Sequence, residues 1–133
     1  AARKSFQILG EVVGDALANA LALIDGLAVV GGGLAQASSL FMPTLIREMN
    51  GSIEKYNGEQ IPRLTQQVFN LTCEDETRKF LEDETKVFKV PNTDRSIRSD
   101  PRMRTGVGVS ELGTNRATSL GAYCYALQQL DRN

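Results

Sequence analysis

Three consecutive glycines, Gly31, Gly32 and Gly33, end a short apolar run over residues 27–30 and lead into Leu34-Ala35-Gln36, where helical character begins. Main-chain atoms at the end of a strand, with no Cβ in the way, can approach a flat base, a ribose or a phosphate closely. That is the chemistry of holding a nucleotide rather than of breaking a bond. Side chains that break bonds are scarce. The chain has no histidine, which excludes Ser-His and Cys-His nucleophiles, and its two cysteines, Cys73 and Cys124, lack the paired spacing of a zinc or iron site. Asp15 and Asp25 are the carboxylates nearest the glycines in sequence, but a general base must reach the attacked hydroxyl, and Asp15 falls on the polar face of a helix. No catalytic residue and no metal ligand is assigned.

The elements that must position the glycines follow from hydrophobic spacing. Leu9, Val13, Leu17, Leu21 and Ile24 continue from Phe6 at intervals of three or four, predicting an opening helix that ends near Asp25-Gly26. Ala16, Ala18, Ala20 and Ala22 leave its second half thin enough for close packing. Residues 27–30 are expected to be a strand buried on both faces. Phe41, Leu45 and Met49 mark a second helix from about Ser39 to Asn50-Gly51, with Pro43 in or near its first turn. Residues 63–71 read as a strand, Thr72-Cys73-Glu74-Asp75 as a capping box opening a charged helix to about Asp83, and residues 86–90 as a further strand. Residues 92–101 are polar and proline-bounded, the composition of an exposed loop or lid. Residues 104–110 alternate Gly106 and Gly108 with Val107 and Val109, a strand with one bare face that something must approach. Thr114 or Asn115 can cap a final helix whose buried stripe is Leu120, Tyr123, Leu127 and Leu130.

Composition fits one folded unit. The chain has 133 residues, 41% of them apolar, and 15 basic against 16 acidic side chains, enough to bury a core and with no cationic surplus to meet nucleic acid. Arg95, Arg98, Arg102 and Arg104 form a local basic cluster, but Asp94 and Asp100 interrupt it. The apolar stretch over residues 16–30 is broken by Asn19, Asp25 and Gly26 and lacks the length of a membrane span. Reduced cysteines and a cytoplasmic location are the expectation.

The glycines admit three readings: a tight turn alone, a dinucleotide fingerprint, or an adenosine contact. The fingerprint fails, because Gln36 stands where G-x-G-x-x-G needs its third small residue. The order helix, strand, Gly31-Gly32-Gly33, helix, then a later strand, Leu112-Gly113-Thr114 and a last helix with Leu120-Gly121-Ala122 resembles the C-terminal half of the ROK family of bacterial sugar kinases and sugar-responsive repressors. The resemblance runs over nearly all 133 residues. It implies an α/β fold: the C-terminal part of a ribonuclease-H-like ATPase lobe of the actin and hexokinase type, with helices packed on a mixed sheet. Residues 1–133 are then a single, partial lobe of a two-lobe protein, and residues 60–104 an inserted strand, helix and loop region.

What the resemblance further implies is that Gly31, Gly32 and Gly33 lie against the adenosine of ATP, with Mg2+ and the catalytic aspartate supplied mainly by an N-terminal half outside this chain. The implied activity is phosphorylation of a hexose hydroxyl, glucokinase-like, with ATP and the sugar as partners, inactivity of this part alone, and homo-oligomers as in many members of the family. A sugar-responsive repressor of the same family, or an α/β scaffold in which the glycines only turn the chain, are the alternatives.

Overall fold

The computed structural model describes residues 2–131, and of Thr114 the backbone only. The first helix, α1, runs Ala2–Leu21, and the first strand, β1, is Ala28–Val30. A 3-10 turn, Gly33–Ala37, runs into α2, Ser38–Met49. Two short strands follow, β2 (Ser52–Glu54) and β3 (Gln60–Pro62), then β4 (Gln67–Asn70) and α3 (Glu74–Leu81). Strands β5 (Lys86–Lys89), β6 (Ser96–Ser99) and β7 (Arg104–Val109) precede the last helix, α4 (Thr114–Leu130). The central sheet is parallel in the order β1-β7-β4, while β2-β3 and β5-β6 are separate antiparallel hairpins.

The core lies between this sheet and the α1–α2 pair. Phe41, Met42, Leu45 and Met49 of α2 are buried with Ala18 of α1 and with Leu64, Val68 and Val107. Ala28, Val30 and Val109 pack onto the same cluster, so alternate residues of β1 and β7 face the helices. The thin side of α1 is formed by Gly10, Gly14 and Ala18, which are buried; of the four alanines expected to form it only Ala18 takes part, and Ala16, Ala20 and Ala22 are exposed. A Cβ on Gly10 would stand 2.6 Å from the Phe41 carbonyl oxygen, and one on Gly14 would stand 2.8 Å from that of Leu45. Only glycine permits this approach.

The other face of the sheet is covered in part. The Leu71 side chain fills the bare side of β7, where a Cβ on Gly106 would meet Leu71 Cδ1 at 2.7 Å, so the element expected to approach the glycine face belongs to this chain. Phe80 of α3 meets Phe69 edge-on with ring centroids 5.8 Å apart. Asn50, which caps the end of α2, protects the edge strand β4: it donates from Nδ2 to the Val68 carbonyl (2.8 Å) and accepts from the Val68 amide (2.9 Å), occupying groups that an added strand would use.

Several expectations need correction. Strand β1 is not buried on both faces: Leu27 and Val29 are exposed, because β1 is an edge strand and Val29 points away from the helices. Pro43 lies in the second turn of α2, the preceding 3-10 turn having already set the helical direction. Residues 63–71 contribute only a four-residue strand, and β3 and its partner β2 form a hairpin unforeseen in sequence. The capping box does not form. The cap position of α3 is Cys73, with no side-chain hydrogen bond to the helix, and Thr72 Oγ1 donates to Asn70 Oδ1 at 2.6 Å instead. Within residues 92–101, Ser96–Ser99 is strand β6, paired with β5. The stripe on α4 is not buried in this chain: Leu120, Tyr123, Leu127 and Leu130 are all exposed, since the body of the chain packs on β7 rather than on α4. The cap of α4 is Gly113, at φ +68°; the proposed Thr114 side-chain cap lies outside the described residues. Cys73 and Cys124 are both free thiols. No helix among the described residues is long and apolar enough to cross a membrane.

Candidate functional site

The parallel pairing of β1 with β7 brings two strand ends side by side. Val30 is in register with Val109, and the Ser110 amide donates to the Val30 carbonyl at 2.9 Å. The chain leaving β1 is Gly31-Gly32-Gly33, and the chain leaving β7 is Ser110-Glu111-Leu112-Gly113. Together they bound a cavity of about 170 Å³, lined by Gly32, Gly33, Ala35, Gln36, Val109, Ser110, Glu111 and Gly113. Larger depressions, of about 490 Å³ at the β5-β6 tip and about 560 Å³ along α4, lie elsewhere on the surface. Neither gathers ends of the central sheet, where ligands of parallel α/β sheets characteristically sit.

Each glycine contributes differently. Gly32 has φ +90°, a conformation that side chains resist, and its carbonyl accepts from the Ala35 amide at 3.1 Å to start the 3-10 turn. Gly31 lies near Ser110, whose Cβ would be 3.8 Å from an added Cβ. Gly33 has neither constraint: its φ is ordinary and a Cβ there would meet nothing within 4 Å. The open space over Gly32 and Gly33 is a cradle that side chains would fill. Gly32 and Gly33 offer it bare main chain, and among the described residues its lining carries no Lys or Arg, a surface matched to the flat, neutral face of a nucleoside rather than to phosphate.

The loop is held from behind. Thr105 Oγ1 donates to the Gly26 carbonyl at 2.6 Å, fixing the chain just before β1. Arg63 pairs with Glu48 of α2 at 2.9 Å and with Asp15 of α1, so Asp15 is engaged in tying α1 and α2 together. Asp25 accepts from Gln66 Nε2 at 3.0 Å. Neither aspartate lines the glycine cavity. Among the described residues, no group of three or more His, Cys, Asp or Glu side chains is arranged to hold a metal ion.

The sequence pointed to the three glycines and missed Gln36, Ser110 and Glu111 as their neighbours. The alternation of Gly106 and Gly108 revealed β7, but nothing local says that β7 pairs with β1 in parallel, and that pairing alone sets Ser110 and Glu111 beside Gly32.

A parallel central sheet with α1 and α2 packed on one face, and glycines at the carboxyl end of β1, makes this a mixed α/β fold. The chain is similar to a solved glucokinase from Parabacteroides distasonis, with 41% sequence identity and a TM-score of 0.78. The match covers 96% of this chain and 34% of the glucokinase, so the chain spans about a third of that protein's length. No family model matches the chain, and no curated protein does.

Proposed function

We propose that this chain is the nucleotide-holding part of an ATP-dependent hexose kinase of the glucokinase type, a C-terminal portion of a ribonuclease-H-like lobe as in the ROK family, with the adenosine of ATP seated on Gly31, Gly32 and Gly33. The observation that carries the reading is the likeness to a solved glucokinase along almost the whole chain, and the open main-chain cradle at the end of β1 supports it. Phosphoryl transfer relies on positioning and charge stabilisation, and this part contributes the first for the nucleoside end of ATP. The sugar, Mg2+ and the base that accepts the hydroxyl proton are engaged mainly by residues beyond this chain, and the chain alone is inactive. The exposed apolar face of α4 is in keeping with a helix that packs on further protein.

The test is Gly33→Val in the intact protein that carries this chain. An added Cβ at Gly33 meets nothing within 4 Å and its φ is not one that side chains resist, so thermal stability without ligand stays within about 1 kcal/mol of wild type. A ligand on the cradle is obstructed, and the KM for ATP rises about tenfold or more while the KM for the hexose does not move. An unchanged KM for ATP refutes the adenosine assignment. Absence of ATP-dependent sugar phosphorylation by the intact protein, with ATP still bound, favours the repressor reading.

A further inference from the structure

Glu111 stands at the mouth of the glycine cavity, exposed, with no ion pair and no hydrogen bond among the described residues. Among the described residues it is the one charged residue lining the cavity. Resting on the adenosine reading above, we propose that the Glu111 carboxylate accepts hydrogen bonds from the ribose hydroxyls of the bound nucleotide, making this a site that selects ribonucleotides over 2′-deoxyribonucleotides.

The argument is one of placement and charge. A carboxylate is an acceptor only, with two oxygens, so its ligand must offer O–H or N–H donors. Phosphate offers none at neutral pH and is repelled by the carboxylate, so the triphosphate leaves the cradle on the side away from Glu111. A base stacked on the main-chain floor at Gly32 and Gly33 sits deeper than the mouth, and the sugar attached to it emerges where Glu111 is. A ribose diol presents two neighbouring O–H donors to such a carboxylate, as acidic residues do for ribose in dinucleotide-binding folds. Leaving Glu111 at the solvent edge also avoids the cost of burying an unpaired charge before the ligand arrives.

The experiment uses the intact protein and compares equilibrium binding of ATP and 2′-deoxy-ATP by calorimetry for wild type, Glu111→Ala and Glu111→Gln. A charge-assisted hydrogen bond to one hydroxyl corresponds to about a tenfold preference for ATP in wild type. Glu111→Ala weakens ATP more than 2′-deoxy-ATP, which keeps only its 3′ hydroxyl, and so removes most of the preference for ATP, while Glu111→Gln, which retains one acceptor oxygen, falls between. ATP binding with the same preference in Glu111→Ala as in wild type overturns the role of Glu111 and leaves the adenosine reading standing. Failure of wild type to bind ATP at all overturns both. Because Glu111 is exposed and makes no contact that supports the fold, the variants fold as wild type does, which circular dichroism checks.

Discussion

Gly10→Ala and Gly121→Ala add the same methyl group to helical glycines and should change stability in opposite directions. In α4, Gly121 has open space around it, so alanine gains the intrinsic helix preference of about 1 kcal/mol with nothing set against it. In α1, the new Cβ of Gly10→Ala meets the Phe41 carbonyl oxygen at 2.6 Å, Thr44 Cβ at 2.9 Å and the Leu45 nitrogen at 3.2 Å. Two of these are main-chain atoms that cannot swing aside, so α1 and α2 must separate. Overpacking costs about 1–3 kcal/mol; with two main-chain atoms in the way the upper part of that range, about 2–3 kcal/mol, applies, and subtracting the same helix preference leaves a net loss of about 1–2 kcal/mol. With a urea slope of about 2 kcal/mol/M, the midpoint for Gly10→Ala falls by about 0.5–1 M, and that for Gly121→Ala rises by about 0.5 M where α4 unfolds with the body. Gly14→Ala behaves like Gly10→Ala, and the double variant costs less than the sum, since one separation of the helices relieves both contacts. Urea unfolding followed by far-ultraviolet circular dichroism measures all four. A Gly10→Ala variant as stable as wild type would refute the close approach of α1 to α2. The consequence reaches the site, because the glycine turn is strung between these two helices.

Two further perturbations probe the supports of the fold. Arg63→Met removes a half-buried guanidinium from Asp15 and Glu48 and leaves two carboxylates facing each other, so stability falls by about 1–2 kcal/mol at low salt and by less at 1 M salt; equal losses at both salt concentrations in thermal melts would count against an ionic clamp. Asp83 is held below the usual carboxylate pKa, first by a hydrogen bond from the Thr85 side chain and then by the Thr85 amide, which donates to Asp83 Oδ1 at 2.8 Å. A lowered pKa in the folded state means the stabilisation is present at neutral pH and is lost as pH falls through that lowered value. Thr85→Ala removes the larger cause and raises the Asp83 pKa toward 3.8, as a carbon-13 NMR titration of the carboxyl group reads; an unmoved titration would assign the shift elsewhere.

Where the sequence was legible, periodicity carried the information. The positions Phe41, Leu45 and Met49 are all buried, and the α1 spacing from Phe6 to Leu21 does face the core. Periodicity reports which face of an element is apolar and not what covers it. Hence the spacing marks α4 as a helix although its stripe is exposed in this chain, and Leu27 and Val29 read as core residues although both are exposed. The short hairpins were hidden for a different reason. Strands β2, β3 and β6 are stabilised by cross-strand pairs such as Ile53 with Ile61 and Phe88 with Ile97, and such pairs depend on register rather than on any local pattern. The cavity was half legible: glycines are visible in a sequence, whereas the strand pairing that supplies Ser110 and Glu111 is not.

Glycine by glycine, the packing separates turn from cradle. Gly106 is explained within the chain, because Leu71 occupies the place of its side chain, and Gly32 is explained by φ +90°. A turn alone would therefore require Gly32 and leave Gly33 free to carry any side chain. Gly26 and Gly121 are equally unconstrained, but neither borders the cavity at the end of β1, and Gly33 does. Two adjacent residues thus answer different questions. Substitution at Gly32 perturbs the backbone whatever the cavity holds, so its loss of activity would be uninformative. Gly33 is the position where a side chain is harmless to the empty protein and harmful to a bound nucleotide, and the difference between the two states is what a turn-only reading cannot produce.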